Sequence, residues 1–224
     1  MTDLLYVDED RAQGGRVVRE AFRSGYFSKD QIRTILPKST LEEMIGEVVA
    51  SNCRVLVTDF DLSDEQLGVQ FNGVELVAEM SRRFEGFPCF VTTNYPQDAV
   101  GHEVDVSLIF PKDDYLDPDK AHTTKLPFFQ RVRQSIDDYQ TRYAARSDRF
   151  QYLHEQSTAR QLEVAELEEL LELDDFFERA LNKTGAVPKI VKAQAMAPFS
   201  ELLQKTSSLV DKIEAELAGG KEAE

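Results

Sequence analysis

What this sequence has little of narrows its class before any motif is read. No apolar run approaches the roughly 18 residues that cross a bilayer, and the start Met-Thr-Asp-Leu-Leu-Tyr lacks the basic opening of a secretory leader. A cytoplasmic protein without a membrane partner is therefore expected. There are 2 cysteines, Cys53 and Cys89, with neither CxxC nor Cys/His ligand spacing, so they read as small core residues in a reducing compartment and suggest no zinc site. With only 11 Gly and 8 Pro, long disorder is not expected. Positive charge is also scarce. The 26 Lys+Arg against 41 Asp+Glu give a formal charge of −15, which repels a phosphate backbone and argues against direct nucleic-acid binding.

What is present reads as one domain with an appendage, the organisation that 224 residues allow. Up to about Asp114, short apolar runs alternate with amphipathic stretches, the βαβ signature of a parallel sheet covered on both faces. Strands are expected at Leu4–Val7, Ile32–Leu36, Arg54–Thr58, Cys89–Thr92 and Val106–Phe110. Helices are expected at 16–27, 41–51 and 73–84, the second entered by Ser39 and Thr40 with Glu42 and Glu43 as in a capping box. Pro96 to Gly101 leaves room for only a short fourth helix.

After Leu126 the strand signal stops. Phe129, Val132, Ile136, Tyr139, Tyr143, Phe150, Leu153, Val164, Leu167 and Leu171 recur at steps near three and four, interrupted at Arg146, Ser157 and Arg160. One long helix, a candidate coiled coil, is expected from about Leu126 to about Asn182. Gly185 and Pro188 end it; Pro198 opens a short helix striped by Phe199, Leu202, Thr206, Leu209, Ile213 and Leu217, before a polar tail. The expected divisions are residues 1–120, 121–184 and 185–224.

Polar residues gather where open parallel sheets place their ligands, at the carboxyl ends of strands. Asp8, Glu9 and Asp10 follow the first strand, Asp59 and Asp61 the third, Thr93 and Asn94 the fourth, and Lys112 the fifth. Each alone is an ordinary loop residue; together they are a set with a chemistry. Clustered carboxylates hold Mg²⁺ through oxygen ligands. One of them can then attack phosphorus while a hydroxyl and an ammonium bind the phosphoryl oxygens.

In order along the chain, YVDED, VTDFDL, NGVELV, FVTTN and IFPKDD resemble the receiver domain of two-component response regulators. The resemblance covers about residues 1–120 and implies an α/β fold: a five-stranded, parallel, doubly wound sheet of flavodoxin or CheY-like order 2-1-3-4-5, here followed by a helical extension of no recognised family. It implies Asp8 and Glu9 as the acidic pair for Mg²⁺, Asp59 as phosphoacceptor and a further metal ligand, and the backbone carbonyl of Asp61 on the metal. Thr93 would be the switch hydroxyl and Lys112 the phosphoryl-binding lysine. The sequence departs from the family in three places: the loop from Ser63 to Asn72 is longer, Asn94 replaces a small residue after Thr93, and Pro111 precedes Lys112 instead of following it. Tyr95 and Phe110 are the aromatics nearest the family's rotating one.

The function this implies is signalling without enzymatic turnover. A sensor histidine kinase or phosphotransfer protein would phosphorylate Asp59, and the helical extension would read out the change by homodimerisation through the long helix or by docking a downstream protein. Two alternatives remain open. Asp59-Phe-Asp61 also resembles the DxD motif of haloacid-dehalogenase-type phosphatases, and a degenerate receiver could serve as a scaffold alone.

Overall fold

In the computed structural model, the described residues are 2–63, 68–95, 105–116 and 126–180. Their core is a five-stranded parallel sheet: β1 (Leu4–Val7), β2 (Ile32–Ile35), β3 (Val55–Asp59), β4 (Cys89–Thr93) and β5 (Ile109–Pro111), in spatial order β2-β1-β3-β4-β5. This is the doubly wound, CheY-like arrangement. β1 and β3 are buried along their whole length, which is why they read in sequence as continuous apolar runs with no polar alternation. Their registers, Val7 beside Thr58 and Asp59 beside Thr92, bring the polar ends of β1, β3 and β4 to one rim of the sheet.

The helices are α1 (Arg11–Arg23), α2 (Leu41–Ser51), α3 (Gly73–Arg83), α4 (Asp113–Leu116), α5 (Phe128–Ala159) and α6 (Val164–Ala180). α1 begins five residues before the expected Arg16. Gly14 and Gly15 suggest a loop, but Asp10 caps the helix by accepting from Ala12 N–H at 2.8 Å. α2 starts as expected, its capping box formed by Thr40 and Glu43. β5 is shorter than expected because Val106–Leu108 form a 3₁₀ turn. Pro111 is tolerated there at the end of an edge strand. The expected helix at Pro96–Gly101 lies outside the described residues.

Two apolar clusters flank the sheet. One joins Leu5, Val7 and Leu56 to α2 and α3 through Met44, Val48, Leu76 and Met80. The other joins Leu4, Tyr6, Val55 and Val57 to α1 through Val17 and Ala21, and to α5 through Phe128, Phe129, Val132 and Ile136. α5 is therefore part of the core. It is held at its inner edge by Arg133, which donates to the buried Asp3 carboxylate at 3.2 Å and to the Tyr26 carbonyl, while its guanidinium lies 4.7 Å over the Phe27 ring. Gln31 and Arg54 satisfy the rest of Asp3.

The single long helix expected from Leu126 to Asn182 is broken. α5 ends at Arg160, and α6 returns alongside it as a hairpin. The break, Arg160 to Glu163, contains neither Gly nor Pro. It coincides with the interrupted seam, and Arg160 pairs with Glu166 across the turn while Glu163 N–H donates to Glu166 at 3.0 Å. Part of the seam expected to join two chains is consequently covered within one, while Val164 is 58% exposed. Phe129, Val132 and Ile136 face the sheet, Tyr139 stacks edge-on against Phe87, and Tyr143 against Phe177 at 5.3 Å. Phe150 meets Phe177, Arg146 covers Phe176 at 3.9 Å, and Arg149 pairs with Glu169. The stripe from Phe199 to Leu217 lies outside the described residues. No helix among the described residues is long and apolar enough to cross a membrane.

Candidate functional site

Four of the expected residues converge at the rim. One carboxylate oxygen from each of Asp8, Glu9 and Asp59 lies within 4.8 Å of the others. Lys112 Nζ reaches between them, 2.8 Å from Asp59 Oδ2 and 3.3 Å from Asp8 Oδ2. β5 sets its position: Lys112 N–H donates to the Thr93 carbonyl at 2.8 Å, extending the β4–β5 ladder one step past Pro111. The reversal of the Pro-Lys order thus leaves the ammonium at Asp59.

The cluster is buried and short of positive charge. Asp8, Asp59 and Lys112 are each less than a tenth exposed. Among the described residues, three carboxylates face one ammonium, which leaves a formal excess of two negative charges when all are ionised. Burial pushes Asp59 up to about 6, with Asp8 adding to the rise and Lys112 opposing it. Burial likewise lifts Glu9 to about 7, reinforced by Asp8 and Asp59. At Lys112, burial works against the charge, but the hydrogen bond to Asp59 and the fields of Asp59 and Asp8 outweigh it and raise its pKa.

Hydrogen bonds divide the three acids by role. Asp59 Oδ1 accepts from Phe60 N–H at 2.8 Å, so its carboxylate is held between that amide and Lys112. Asp8 accepts from Asp10 N–H on Oδ1 at 2.8 Å, and from Tyr6 and Lys112 on Oδ2. Glu9 is different: its Oε2 is buried without a hydrogen-bond partner. An orphaned carboxylate oxygen beside two more carboxylates fits a hard cation that takes oxygen ligands.

The remaining expected residues are placed less directly. Thr93 is buried at the end of β4, where its hydroxyl oxygen accepts from Tyr95 N–H at 3.0 Å. The Asp61 side chain is exposed and accepts from Ser63 N–H and its hydroxyl. The Tyr95 side chain is 70% exposed. Phe110 belongs to the interior, against Phe90 at 5.7 Å and Phe128 at 5.4 Å, so it is a core ring.

Gly73 is a residue whose necessity the sequence did not reveal. It opens α3, capped by Asn72, and donates its N–H to the Phe60 carbonyl at 2.9 Å. A Cβ there would lie 1.9 Å from the Asp59 carbonyl oxygen. Helix α3 and the end of β3 are thus packed backbone to backbone, an approach open only to glycine. Gly73→Ala is expected to push α3 away from Asp59, costing about 1–3 kcal/mol as overpacked sites do and weakening cation binding. Urea unfolding with a parallel metal titration checks this; an unchanged midpoint would mean that the strand end yields freely.

Both raised carboxylates give a pH signature. A carboxyl whose folded pKa exceeds its ordinary value favours the fold when protonated, and that contribution is lost as pH rises through the folded pKa. For Asp59 and Glu9 the window runs from their ordinary 3.8 and 4.5 up to about 6 and about 7. Glu79 and Glu166, held near about 2 by hydrogen bonds from Arg82 and Arg160, act in the opposite sense but only at lower pH. Between pH 5 and 8 the metal-free chain is therefore expected to lose thermal stability, and a divalent cation to restore it at the alkaline end. Melting curves of wild type and Glu9→Gln test this; the same pH slope in both would remove Glu9 from the account.

With the geometry in place, comparison with known proteins gives the following. No family model and no curated protein matches the chain. Some solved structures are similar to it at low identity. The chain is similar to the anti-anti-sigma factor PhyR from Bartonella quintana, at 14% identity and TM-score 0.41 over 66% of this chain and 51% of that one. It is similar to a two-component transcriptional regulator AraC from Clostridium phytofermentans, at 15% identity and TM-score 0.40 over 63% and 99%. It is also similar to the RcsB response regulator of Salmonella typhimurium, at 14% identity and TM-score 0.36 over 89% and 93%. This chain spans about half the length of PhyR.

Proposed function

We propose that this chain is a receiver-type signalling protein in which Asp59 accepts a phosphoryl group from a histidine kinase or phosphotransfer protein. The supporting observation is the position of the Asp59 carboxylate: at the carboxyl end of a central parallel strand, between the two acids that follow β1 and a lysine 2.8 Å away. Asp8, Glu9 and Asp59 would hold Mg²⁺, with the Asp61 carbonyl as a further ligand on the family's pattern. Bound there, the cation would neutralise the charge that accumulates as phosphorus approaches a carboxylate.

The chain's own part is nucleophilic. An Asp59 oxygen forms a bond to the phosphorus of a phosphohistidine, the P–N bond breaks, and its electron pair stays on the imidazole nitrogen, which takes up a proton. Lys112 transfers its hydrogen bond from Asp59 to a phosphoryl oxygen, and the Thr93 hydroxyl, freed from Tyr95 N–H, donates to another. Water attacking the acyl phosphate at phosphorus regenerates the carboxylate. No turnover of other substrates belongs to this reading. Asp61, the second acid of the DxD alternative, is exposed and accepts from Ser63 N–H.

The readout would be protein docking on the α5–α6 hairpin, since Phe129, Val132 and Ile136, the first part of the seam expected to mediate homodimerisation, are buried within the chain. The strongly acidic composition supports a protein partner over DNA. Beryllofluoride, a phosphoryl mimic, tests the reading: a bound ¹⁹F resonance that requires both Mg²⁺ and Asp59 is expected. Its absence in the intact chain would favour the degenerate scaffold.

A further inference from the structure

The phenol of Tyr6 is buried in the middle of the sheet, on the same face as the residue two positions on, Asp8. It donates to Asp8 Oδ2 at 2.6 Å, a short charge-assisted bond of the stronger kind. Tyr115 of α4, also buried, belongs to the same packed cluster as Tyr6. The Tyr115 ring in turn lies 5.1 Å from Phe128 and 5.6 Å from Phe129, the first residues of α5. A thread of packed side chains therefore runs from the acidic cluster through the α1-facing core to the helix that covers it. It meets the rim at Asp8, which also accepts from Asp10 N–H and Lys112.

We propose that Tyr6 is a positioning residue: its hydroxyl fixes Asp8 for the cation and, through Tyr115, ties the state of the acidic cluster to the seating of α5. The part concerning the cation rests on the function proposed above; the tie to α5 does not. Chemically, any event that draws charge from Asp8, whether a cation or the movement of Lys112 to a phosphoryl oxygen, changes the strength of the Tyr6 bond. Tyr6 then shifts against Tyr115, and Tyr115 against Phe128 and Phe129, within a close-packed interior that transmits small displacements. α3, built into the other cluster, lies outside this thread.

Amide hydrogen exchange of the full chain in chelator tests the tie without any metal. Asp8→Asn replaces the charged acceptor and is expected to raise exchange over Phe128–Ile136 about tenfold; in a Tyr6→Phe background the same change should produce less than about a twofold effect, a non-additive pair. Exchange over α3 is the control, because general loosening would raise it equally. Mg²⁺ titration by calorimetry tests the positioning role: Tyr6→Phe, which keeps the buried ring, is expected to weaken binding by about tenfold, as loss of a ligand's supporting hydrogen bond does. If wild type ignores Mg²⁺ while the pair is non-additive, the cation reading fails and the tie stands. Equal effects of Asp8→Asn in both backgrounds, or effects as large in α3 as in α5, overturn the tie. Unchanged Mg²⁺ affinity in Tyr6→Phe overturns the positioning role.

Discussion

Asp59→Asn is expected to reduce phosphoryl labelling by a small phosphodonor such as acetyl phosphate to background, with the fold retained. The amide has no nucleophilic oxygen lone pair at the strength of a carboxylate, and it removes one charge from the set that would hold the cation. The fold should survive for a reason visible in the site. Lys112 keeps Asp8 at 3.3 Å, so its ammonium is not left alone in the interior. The substitution also removes a carboxyl that burial has already pushed up to about 6, which relieves the metal-free protein near neutral pH. The expected result is thus a variant at least as stable as wild type at pH 8 without cation, yet inert to the donor. Lys112→Met separates acceptor from phosphoryl binding: it should slow labelling without abolishing it. Undiminished, acid-stable label in Asp59→Asn would move the acceptor elsewhere and sink the assignment.

Much of this site was legible in the sequence because its parts obey short-range rules. Asp8, Glu9, Asp59 and Lys112 each follow an apolar run, and a parallel sheet aligns the ends of its strands on one rim whatever the loops between them. β1 lies at Leu4–Val7 as read, since a strand buried on both faces leaves an uninterrupted apolar string. Tyr6 was hidden in that string as one more apolar residue. The available signal was a phenol inside an otherwise aliphatic strand, which needs a hydrogen-bond partner, at the spacing of two that places it beside Asp8. The start of α1 was masked by Gly14 and Gly15, whose low helix propensity the Asp10 cap and the packing of Gly14 on Thr34 override.

The appendage was harder for a different reason. An apolar stripe states that one face of a helix is covered and says nothing about what covers it. Phe129, Val132 and Ile136 have the spacing of a coiled-coil seam, yet the covering surface is the sheet and α1. The contact that fixes the arrangement, Arg133 on Asp3, joins residues 130 positions apart. No local pattern connects them. The turn after α5 shows the same limit, as side-chain pairs such as Arg160 with Glu166 close it in place of Gly or Pro.

These contacts reverse what a shortened chain should do. A fragment ending near Asp119, read from sequence alone, would be a self-sufficient monomeric domain. Without α5 it would expose Phe27, Phe90, Phe110 and Tyr115, which Phe128 and Phe129 now cover. Burial of Phe128, Phe129, Val132 and Ile136 at about 1.5–3 kcal/mol each amounts to about 6–12 kcal/mol, as large as the whole stability of a typical domain. Losing Arg133 also takes a guanidinium from the buried carboxylate of Asp3, leaving Arg54 and Gln31 to hold it. The fragment is therefore expected to collapse without fixed side-chain packing and to self-associate through the bared aromatic face. A chain ending at Asn182, the limit of the compact unit, is expected to unfold cooperatively. Near-ultraviolet circular dichroism, urea unfolding and sedimentation of the two fragments decide the matter. A cooperative, monomeric 1–119 fragment would show that the sheet and its other helices suffice, and that α5 lies on this core without supporting it.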